Sequence, residues 1–224
     1  QRQIEKANRM ATIGTMTAGL AHEIKNPMVA LKTFAEILPK KFDDANYRRK
    51  YMEIVPKEVD RINNLLEKLL QLSRPTSARM ERVGLVTIIA EVDNLLRNKF
   101  EQQKISLKYS GDQQLYILAD RAQMSQLFLN LYLNAIQFMP QGGTLSAEGQ
   151  RENSHLKISI KDTGIGIPAE NLPRLFDPFF TTRHEGTGLG LTICQKIVED
   201  HKGTIKIESR VGQGTTVILR FPPA

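Results

Sequence analysis

The chain has 224 residues and one cysteine, with 41% hydrophobic and 25% charged side chains. This composition is ordinary for a soluble globular protein of one or two domains, and a lone cysteine excludes an internal disulfide. The net charge of +7 is concentrated in residues 1–80, which carry +6. Because this excess lies on the helical part of the chain, we predict a solvated basic surface and no nucleic-acid partner, the alternative being a modest attraction to an acidic protein partner.

The sequence predicts a cytoplasmic location. No apolar run approaches the roughly 20 residues that span a bilayer, no signal peptide opens the chain, and a single cysteine fits a reducing compartment. We therefore predict no membrane segment in this fragment. Residue 1 falls inside a helical pattern without a start signal, so we expect a preceding segment to be missing.

The first predicted element is a long amphipathic helix over residues 1–38. At about 100° per residue, His22 points roughly 180° away from the apolar side of this helix and is therefore exposed. An exposed histidine followed at once by Glu23 is either a chemical group or an ordinary surface residue. The apolar side has the alternating gaps of four and three of a heptad seam, at Ile13, Thr17, Leu20, Ile24, Pro27, Leu31, Phe34 and Leu38.

A second helix is predicted from about residue 47 to 72, after a turn over residues 39–46. Pro27 is expected to bend or loosen the first helix, and Pro56 interrupts the second. Two helices alone cannot cover both apolar stripes, whereas two copies can form a four-helix bundle, so we predict a symmetric homodimer. The alternative is a hairpin that packs on the rest of its own chain.

The remainder of the chain is predicted to mix helices and strands. Hairpins of strands among long helices favour the α+β class, with an α/β sandwich after the helical hairpin. We expect a dimerisation domain at residues 1–73, a polar linker at 74–83 and a second domain at 84–224. Helices are predicted near residues 86–103, 121–138 and 189–201, and strands near 105–109, 115–118, 144–148, 156–161, 204–209 and 215–221.

Three places in the second domain carry residues suited to binding a nucleotide. Asn130 and Asn134 are one helical turn apart, so both carboxamides project from one face, and neutral oxygens suit Mg²⁺ that is already bound to a triphosphate. Asp162 ends a predicted strand directly before a glycine-rich turn. Gly186–Gly190 opens a helix, whose N-terminal amides can bind phosphate. Each feature alone is also compatible with ordinary surface or turn structure.

Five motifs occur along the chain: GLAHEIKNP at 19–27, NLYLNA at 130–135, DTGIGIP at 162–168, FDPFFTT at 176–182 and GTGLGL at 186–191. They resemble, in the same order, the H-box, two ATP-binding boxes, the F-box and a third ATP-binding box of two-component sensor histidine kinases. One glycine-rich motif would be weak support, but five in order are specific. The resemblance covers nearly the whole chain and implies the ATPase fold shared with gyrase, the Hsp90 chaperones and MutL.

The resemblance implies an ATP-dependent protein histidine autokinase of a two-component signalling system, with a sensor domain upstream. His22 would take the phosphoryl group through a neutral imidazole nitrogen, and Glu23 would orient the ring or accept its other proton. The phosphoryl group would then pass to an aspartate of a response-regulator receiver domain. Asn26, one turn after His22, would position water for the reverse dephosphorylation of that partner.

The resemblance also implies the residues that bind ATP and Mg²⁺. Asn134 is expected to ligate Mg²⁺, Asn130 to support the phosphate end, and Asp162 to accept a hydrogen bond from the adenine amino group. The segment between Asp177 and Gly186 is expected to form a lid over ATP. The other expected nucleotide-binding residues are Gln137, Gly164, Gly166, Arg183, Gly186, Thr187, Gly188, Leu189, Gly190 and Thr215.

The sequence departs from the family pattern at three points. Gln137 stands where many relatives carry a phosphate-binding lysine, and Phe138 stands where a small residue is usual. The run 201–203, His-Lys-Gly, replaces the usual His-Gly-Gly, for which we expect only a local effect.

Two other classes of function compete with the autokinase. Another ATPase of this fold, or a serine kinase of the anti-sigma type, would lack a dimerising hairpin with an exposed His-Glu pair, and its phosphoserine would be acid-stable where phosphohistidine is acid-labile. A degenerate kinase that acts as a dimeric scaffold is disfavoured because every motif is occupied.

Overall fold

The computed structural model describes residues 23–73, 79–152, 154–183 and 186–224. The chain divides into two compact units, of which the first contains the residues up to Pro75 together with Pro178–Leu189 and the second contains Thr76–Asp177 and Gly190–Ala224. His22, the predicted helix before residue 23 and residues 74–78 of the predicted linker lie outside the described residues. Within the described ranges, no helix combines the length and apolar character that crossing a membrane requires.

The first unit contains the predicted helical hairpin. Helix α1 covers residues 23–37, passes through the buried Pro27 without a break and leads into a 3₁₀ turn at Leu38–Lys40. Helix α2 spans Ala45–Ser73. It begins where the Asp44 carboxylate accepts hydrogen bonds from the backbone N–H groups of Asn46 and Tyr47, at 2.9 and 3.2 Å.

An aromatic contact and a hydrogen bond join the two helices near the turn. The ring centroid of Phe34 in α1 lies 5.7 Å from that of Tyr47 in α2, and the Tyr47 hydroxyl donates a hydrogen bond to the Phe34 carbonyl at 2.9 Å. Further along α2, Leu65 is fully buried. The predicted orientation of α1 is confirmed for its described part, where Pro27 is buried and the adjacent Asn26 is exposed.

The second unit is a layer of helices against a five-stranded sheet. The strand order is β2-β4-β5-β7-β6, with β2 and β4 parallel and the other neighbours antiparallel. A separate antiparallel pair joins β1 to β3. The helices are α3 (Leu85–Gln102), α4 (Arg121–Gln137) and α5 (Gly190–Asp200), and the strands are β1 (Met80–Gly84), β2 (Ile105–Gly111), β3 (Tyr116–Asp120), β4 (Gly143–Glu152), β5 (His155–Asp162), β6 (Thr204–Arg210) and β7 (Gly214–Phe221).

Two features of this unit differ from the sequence prediction. Strand β1 lies largely within the predicted linker at residues 74–83. The sequence of this strand, Met-Glu-Arg-Val-Gly, does not reveal it, because only Val83 is buried and the residues show no apolar alternation. Strands β2 and β3 are neighbours in sequence but belong to different sheets, and β2 pairs in parallel with β4 instead. The predicted helical hairpin followed by an α/β sandwich is confirmed.

A buried histidine ties the end of α5 to the start of α4. The His201 ring is 3% exposed, its Nδ1 lies 2.7 Å from the Ile197 carbonyl, and its Nε2 accepts a hydrogen bond from the Asp120 backbone N–H at 2.9 Å. These partners place the ring proton on Nδ1, so the imidazole is neutral. The Asp120 carboxylate in turn caps α4 by accepting from the Gln123 N–H at 3.0 Å. The start of α4 is therefore fixed from both sides.

Helix α5 ends in a Schellman motif that contains a lysine in the glycine position. The Gly203 N–H donates to the Val198 carbonyl at 2.8 Å, and the Lys202 N–H donates to the Glu199 carbonyl at 2.9 Å. Lys202 has φ +56°, in the left-handed region that a side chain disfavours. The departure from His-Gly-Gly at residues 201–203 is thus a local strain in the backbone.

We predict that Lys202→Gly raises the free energy of unfolding by about 0.5–1 kcal/mol, because the relief of left-handed strain exceeds the added chain entropy of glycine. Chemical denaturation measures the difference. Gly203→Ala is the control and should destabilise, since an added Cβ would lie 2.6 Å from the Arg220 carbonyl oxygen. A Lys202→Gly variant that is less stable than the parent would contradict the assignment of strain to this residue.

Candidate functional site

The carboxylate of Asp162 lies at the centre of the candidate site. Along β5 the buried residues alternate as Leu156, Ile158 and Ile160, and Asp162 continues this alternation, so its side chain is carried to the buried face. Asp162 is 7% exposed. Its Oδ1 accepts hydrogen bonds from the Gly164 N–H at 2.8 Å and the Thr215 N–H at 3.2 Å.

Asp162 retains an oxygen for a ligand. Its Oδ2 accepts no hydrogen bond within the part of the chain that the structure describes. Burial raises the pKa of the carboxyl, and the two backbone N–H donors oppose that rise. Such a group can accept a hydrogen bond from an N–H donor of a ligand.

Two glycines after Asp162 allow close approach of neighbouring backbone. A Cβ on Gly164 would lie 2.4 Å from the Phe138 carbonyl oxygen, and a Cβ on Gly166, which has φ +72°, would lie 2.0 Å from the Arg210 carbonyl oxygen. No other residue fits either position without a shift of the backbone. The turn after β5 is therefore clamped between the end of α4 and the β6–β7 turn.

Ser209 in β6 organises the other side of the site. Its Oγ accepts a hydrogen bond from the Ile167 N–H at 2.9 Å, donates to the Gly214 carbonyl at 2.8 Å and lies 2.9 Å from Thr215 Oγ1. Since the single hydroxyl proton of Ser209 is used on Gly214, Thr215 donates to Ser209 and keeps its own lone pairs free to accept. The sequence analysis missed Ser209, which no local motif marks.

The two asparagines of α4 are half-buried and lie one turn apart. Nδ2 of Asn130 is buried and makes no hydrogen bond with any described residue. An unpaired buried amide is costly, so this group is suited to an oxygen of a bound ligand. Cys194 lies in α5, and burial raises the pKa of its thiol to about 12.

Gln137 is the last residue of α4. It is exposed at the end of α4 and lines a cavity of about 210 Å³ that contains neither Asp162 nor Thr215. The other residues that line this cavity are Lys99, Gln102, Gln103, Leu133 and Ile136.

The predicted lid residues belong to the first unit. Phe179 has φ +65°, and its N–H donates to the Gly188 carbonyl at 3.1 Å. Gly188 has φ +62°, and a Cβ there would lie 2.3 Å from the backbone of Phe179, so this pairing requires glycine. Leu189 is fully buried. Arg183 and the glycine-rich residues up to Leu189 therefore share a unit with the helical hairpin, whereas Gly190, Asp162 and Thr215 lie in the second unit.

An ion pair joins the two helices of the hairpin. Glu23, which directly follows His22 in sequence, has its Oε2 3.4 Å from Nη2 of Arg61 in α2. The side chains are 19% and 26% exposed. Asn26, one turn further along α1, is exposed.

Two family profiles match different parts of the chain. Residues 12–78 match the profile of the His Kinase A (phospho-acceptor) domain. Residues 119–224 match the profile of the histidine kinase-, DNA gyrase B- and HSP90-like ATPase. A solved structure of the catalytic domain of the histidine kinase ThkA is 33% identical, with a TM-score of 0.60, over 65% of this chain and 96% of that domain.

The chain belongs to the sensor histidine kinases. It carries the catalytic core of the family, and the ATP-binding domain predicted from the last four motifs is confirmed. The sensor histidine kinase ZraS of Escherichia coli (strain K12) is 36% identical over 99% of this chain. Sporulation kinase A of Bacillus subtilis (strain 168) is 35% identical over 97%.

These relatives are longer proteins, since the chain spans 48% of ZraS and 36% of sporulation kinase A. The crystal structure of ThkA in complex with the response regulator protein TrrA has a TM-score of 0.85 at 30% identity, over 99% of this chain and 65% of that one. The similarity of fold between this chain and ThkA therefore covers both domains.

We predict that Ser209→Ala weakens the binding of an ATP analogue about three- to tenfold, because Thr215 loses the group that orients its hydroxyl. Isothermal titration calorimetry measures the affinity. Ser146→Ala is the matched control, since Ser146 also bonds a backbone carbonyl in the same sheet, that of Lys161 at 3.3 Å. Equal affinities of the two variants would contradict the role of Ser209.

Proposed function

We propose that this chain is the catalytic core of an ATP-dependent protein histidine autokinase that is phosphorylated on His22. The proposal rests on the presence, in one histidine kinase chain, of a part suited to bind ATP and a part suited to accept its phosphoryl group. One is the buried carboxylate of Asp162 with a free oxygen, and the other is a hairpin helix in which Glu23, directly after His22, is held in an ion pair.

In the proposed reaction, a neutral imidazole nitrogen of His22 attacks the γ-phosphorus of ATP. The new N–P bond forms as the bond to the β,γ-bridging oxygen breaks, and ADP leaves with that electron pair. The proton on the other imidazole nitrogen is held or accepted by Glu23. Because phosphoryl transfer needs little covalent help, the protein contributes positioning and charge neutralisation.

At the base end of the nucleotide, Asp162 accepts a hydrogen bond from the adenine amino group through Oδ2. Thr215 lies beside it with its lone pairs available, because its proton is donated to Ser209. The tight glycine turn at Gly164 and Gly166 lets the ligand approach backbone rather than side chains. The groups that this cluster leaves available, Oδ2 of Asp162 and the lone pairs of Thr215, accept hydrogen bonds. The exocyclic amino group of adenine supplies a matching N–H donor.

At the phosphate end, the asparagine face of α4 fits Mg²⁺-bound triphosphate. Bound Mg²⁺ would neutralise phosphate charge, with Asn134 as its protein ligand and Asn130 supporting the phosphates. Within the described residues, no group of three or more histidine, cysteine or acidic side chains can hold a metal ion. A site with one neutral protein ligand, completed by phosphates and water, agrees with that finding. Arg183 and the amides of Gly186–Gly190 are proposed to contact the phosphates.

The proposed protein assembles as a homodimer through the hairpin. Met52, Val59 and Leu66 recur every seven residues along α2, and each is at least 42% exposed within one chain. A stripe at heptad spacing is typical of a helix that packs against further helices, which a second copy supplies. This arrangement favours the four-helix bundle over the intramolecular alternative.

A receiver domain of a response regulator is the proposed acceptor of the phosphoryl group. The support is the fold that this chain shares with ThkA, a histidine kinase whose structure was determined in complex with the response regulator protein TrrA. An aspartate of the receiver attacks the phosphorus of phosphohistidine, and the imidazole leaves with the electron pair of the N–P bond.

The direct test is labelling with γ-³²P-ATP and Mg²⁺. The parent chain should acquire acid-labile label, and His22→Gln should abolish it, because the nucleophile is lost. His155→Gln, a change at an exposed histidine of β5, is the matched control and should label normally. Label that persists in His22→Gln would exclude His22 as the acceptor. Acid-stable label would favour a serine kinase, and nucleotide binding without label would favour a scaffold.

We further propose that the chain dephosphorylates its response regulator and that Asn26 serves this reaction. The exposed carboxamide of Asn26 lies one turn after His22 in sequence and can hold a water in line with phosphoaspartate without itself exchanging a proton. Attack of His22 on ATP has no such need for an amide. The competing interpretation is that Asn26 only supports the helix before Pro27.

We predict that Asn26→Ala keeps most of the autokinase activity but loses most of the phosphatase activity, at least about tenfold, because only hydrolysis needs the positioned water. Release of phosphate from a phosphorylated receiver is compared with autophosphorylation of the same preparation. Lys25→Ala, at the exposed neighbouring position, is the control. Parallel loss of both activities with a lowered melting temperature would support the structural interpretation.

A further inference from the structure

We propose that Arg61 of α2 is a positioning residue for phosphotransfer, which holds in place the carboxylate of Glu23, the residue that directly follows His22 in sequence. This inference rests on the proposed function, because it assigns to Arg61 an effect on the reaction of His22. Arg61 acts through Glu23 and is not itself assigned a contact with ATP.

The position of the ion pair sets it apart from the other charge pairs of the hairpin. Lys32–Glu36 and Lys57–Glu53 each lie within one helix, and their side chains are 61–75% exposed. Among the ion pairs in the described residues of the hairpin, Glu23–Arg61 is the one that connects α1 to α2, and both of its side chains are mostly covered. Exposed ion pairs within one helix contribute little to stability. A mostly covered ion pair between two helices fixes the positions of its two side chains.

The guanidinium of Arg61 is only half used. Nη2 meets Glu23 Oε2 at 3.4 Å, while Nε of the same group is buried and makes no hydrogen bond with any described residue. Nε–H and the adjacent Nη2–H form one edge of the guanidinium, which matches the two oxygens of a carboxylate. A buried N–H without an acceptor raises the free energy of the folded protein. The ion pair therefore becomes more stable when the second oxygen of Glu23 turns to accept a hydrogen bond from Nε.

The ion pair restricts the rotamers that the Glu23 side chain can adopt. A glutamate side chain on a helix samples many rotamers, and few of them keep the carboxylate within hydrogen-bond reach of a neighbouring imidazole. An ion pair from the second helix limits this sampling before ATP arrives. Because the ion pair orients Glu23 and does not contact ATP, it should raise the rate of phosphoryl transfer and leave the affinity for ATP unchanged.

The experiment compares autophosphorylation of the full chain with that of Arg61→Gln, Arg61→Lys and the control Lys57→Gln. Lys57 is one turn before Arg61 on the same helix and pairs with Glu53 at the surface. We expect Arg61→Gln to lower kcat about tenfold with an unchanged KM for ATP, and Arg61→Lys to recover part of the loss, because lysine keeps the charge but not the forked geometry. Lys57→Gln should stay within about twofold of the parent.

A double-mutant cycle with Glu23→Gln decides whether Arg61 acts through Glu23. If it does, Arg61→Gln should cause no further loss of rate in the Glu23→Gln background. An equal loss in both backgrounds would overturn the proposal, as would an Arg61→Gln rate no lower than that of Lys57→Gln. All rates are measured below the melting temperature of each variant, on protein shown by light scattering to have the mass of the parent.

The outcome also separates this inference from the proposed function. If the parent chain acquires no label on histidine, the proposed function fails and the inference fails with it. If the parent chain is labelled while Arg61→Gln behaves like Lys57→Gln, only the inference fails.

Discussion

The hydrogen bonds that converge on Asp162 are the constraint on which the ATP-binding domain depends. One carboxylate oxygen joins the end of β5, the turn at Gly164 and the start of β7 at Thr215. Two of these segments are separated by about a quarter of the chain, which contains a 3₁₀ helix (Ala169–Arg174), α5 and β6. Burying a carboxylate is unfavourable unless it is bonded, so the two backbone amides stabilise the fold and leave Oδ2 for the ligand in the proposed function. In that proposal, the fold and ligand recognition share one side chain.

The helix that carries Asn130 and Asn134 is held by a second set of buried polar bonds. His201, at the end of α5, bonds the backbone of Asp120, and Asp120 caps α4. A neutral imidazole that both donates and accepts is directional, so it fixes the start of α4 more closely than apolar packing alone would. The asparagine face and the carboxylate of Asp162 are thus set in one unit by two independent networks.

Sequence reasoning succeeded where the signal was local and failed where it was not. The strand near residues 156–161 and the glycine-rich turn after Asp162 are marked by local sequence, and both were predicted correctly. The parallel pairing of β2 with β4 and the short strand β1 depend on register between distant segments, which no local pattern specifies. Ser209 and Arg61 were missed for the same reason, because each acts through a partner at least six residues away that only the fold brings near. The proposed role of His22 comes from the resemblance of residues 19–27 to the family motif.

The buried thiol of Cys194 has a practical consequence. It is the single cysteine of the chain, it is fully buried in α5, and its pKa of about 12 leaves almost no thiolate at neutral pH. Alkylating reagents and mild oxidants attack the thiolate, so the native protein is effectively inert toward them. A cysteine introduced at an exposed position can therefore be coupled to a fluorophore or a spin label selectively, without first removing Cys194. The distances between labelled lid and hairpin positions become measurable in an otherwise unaltered chain.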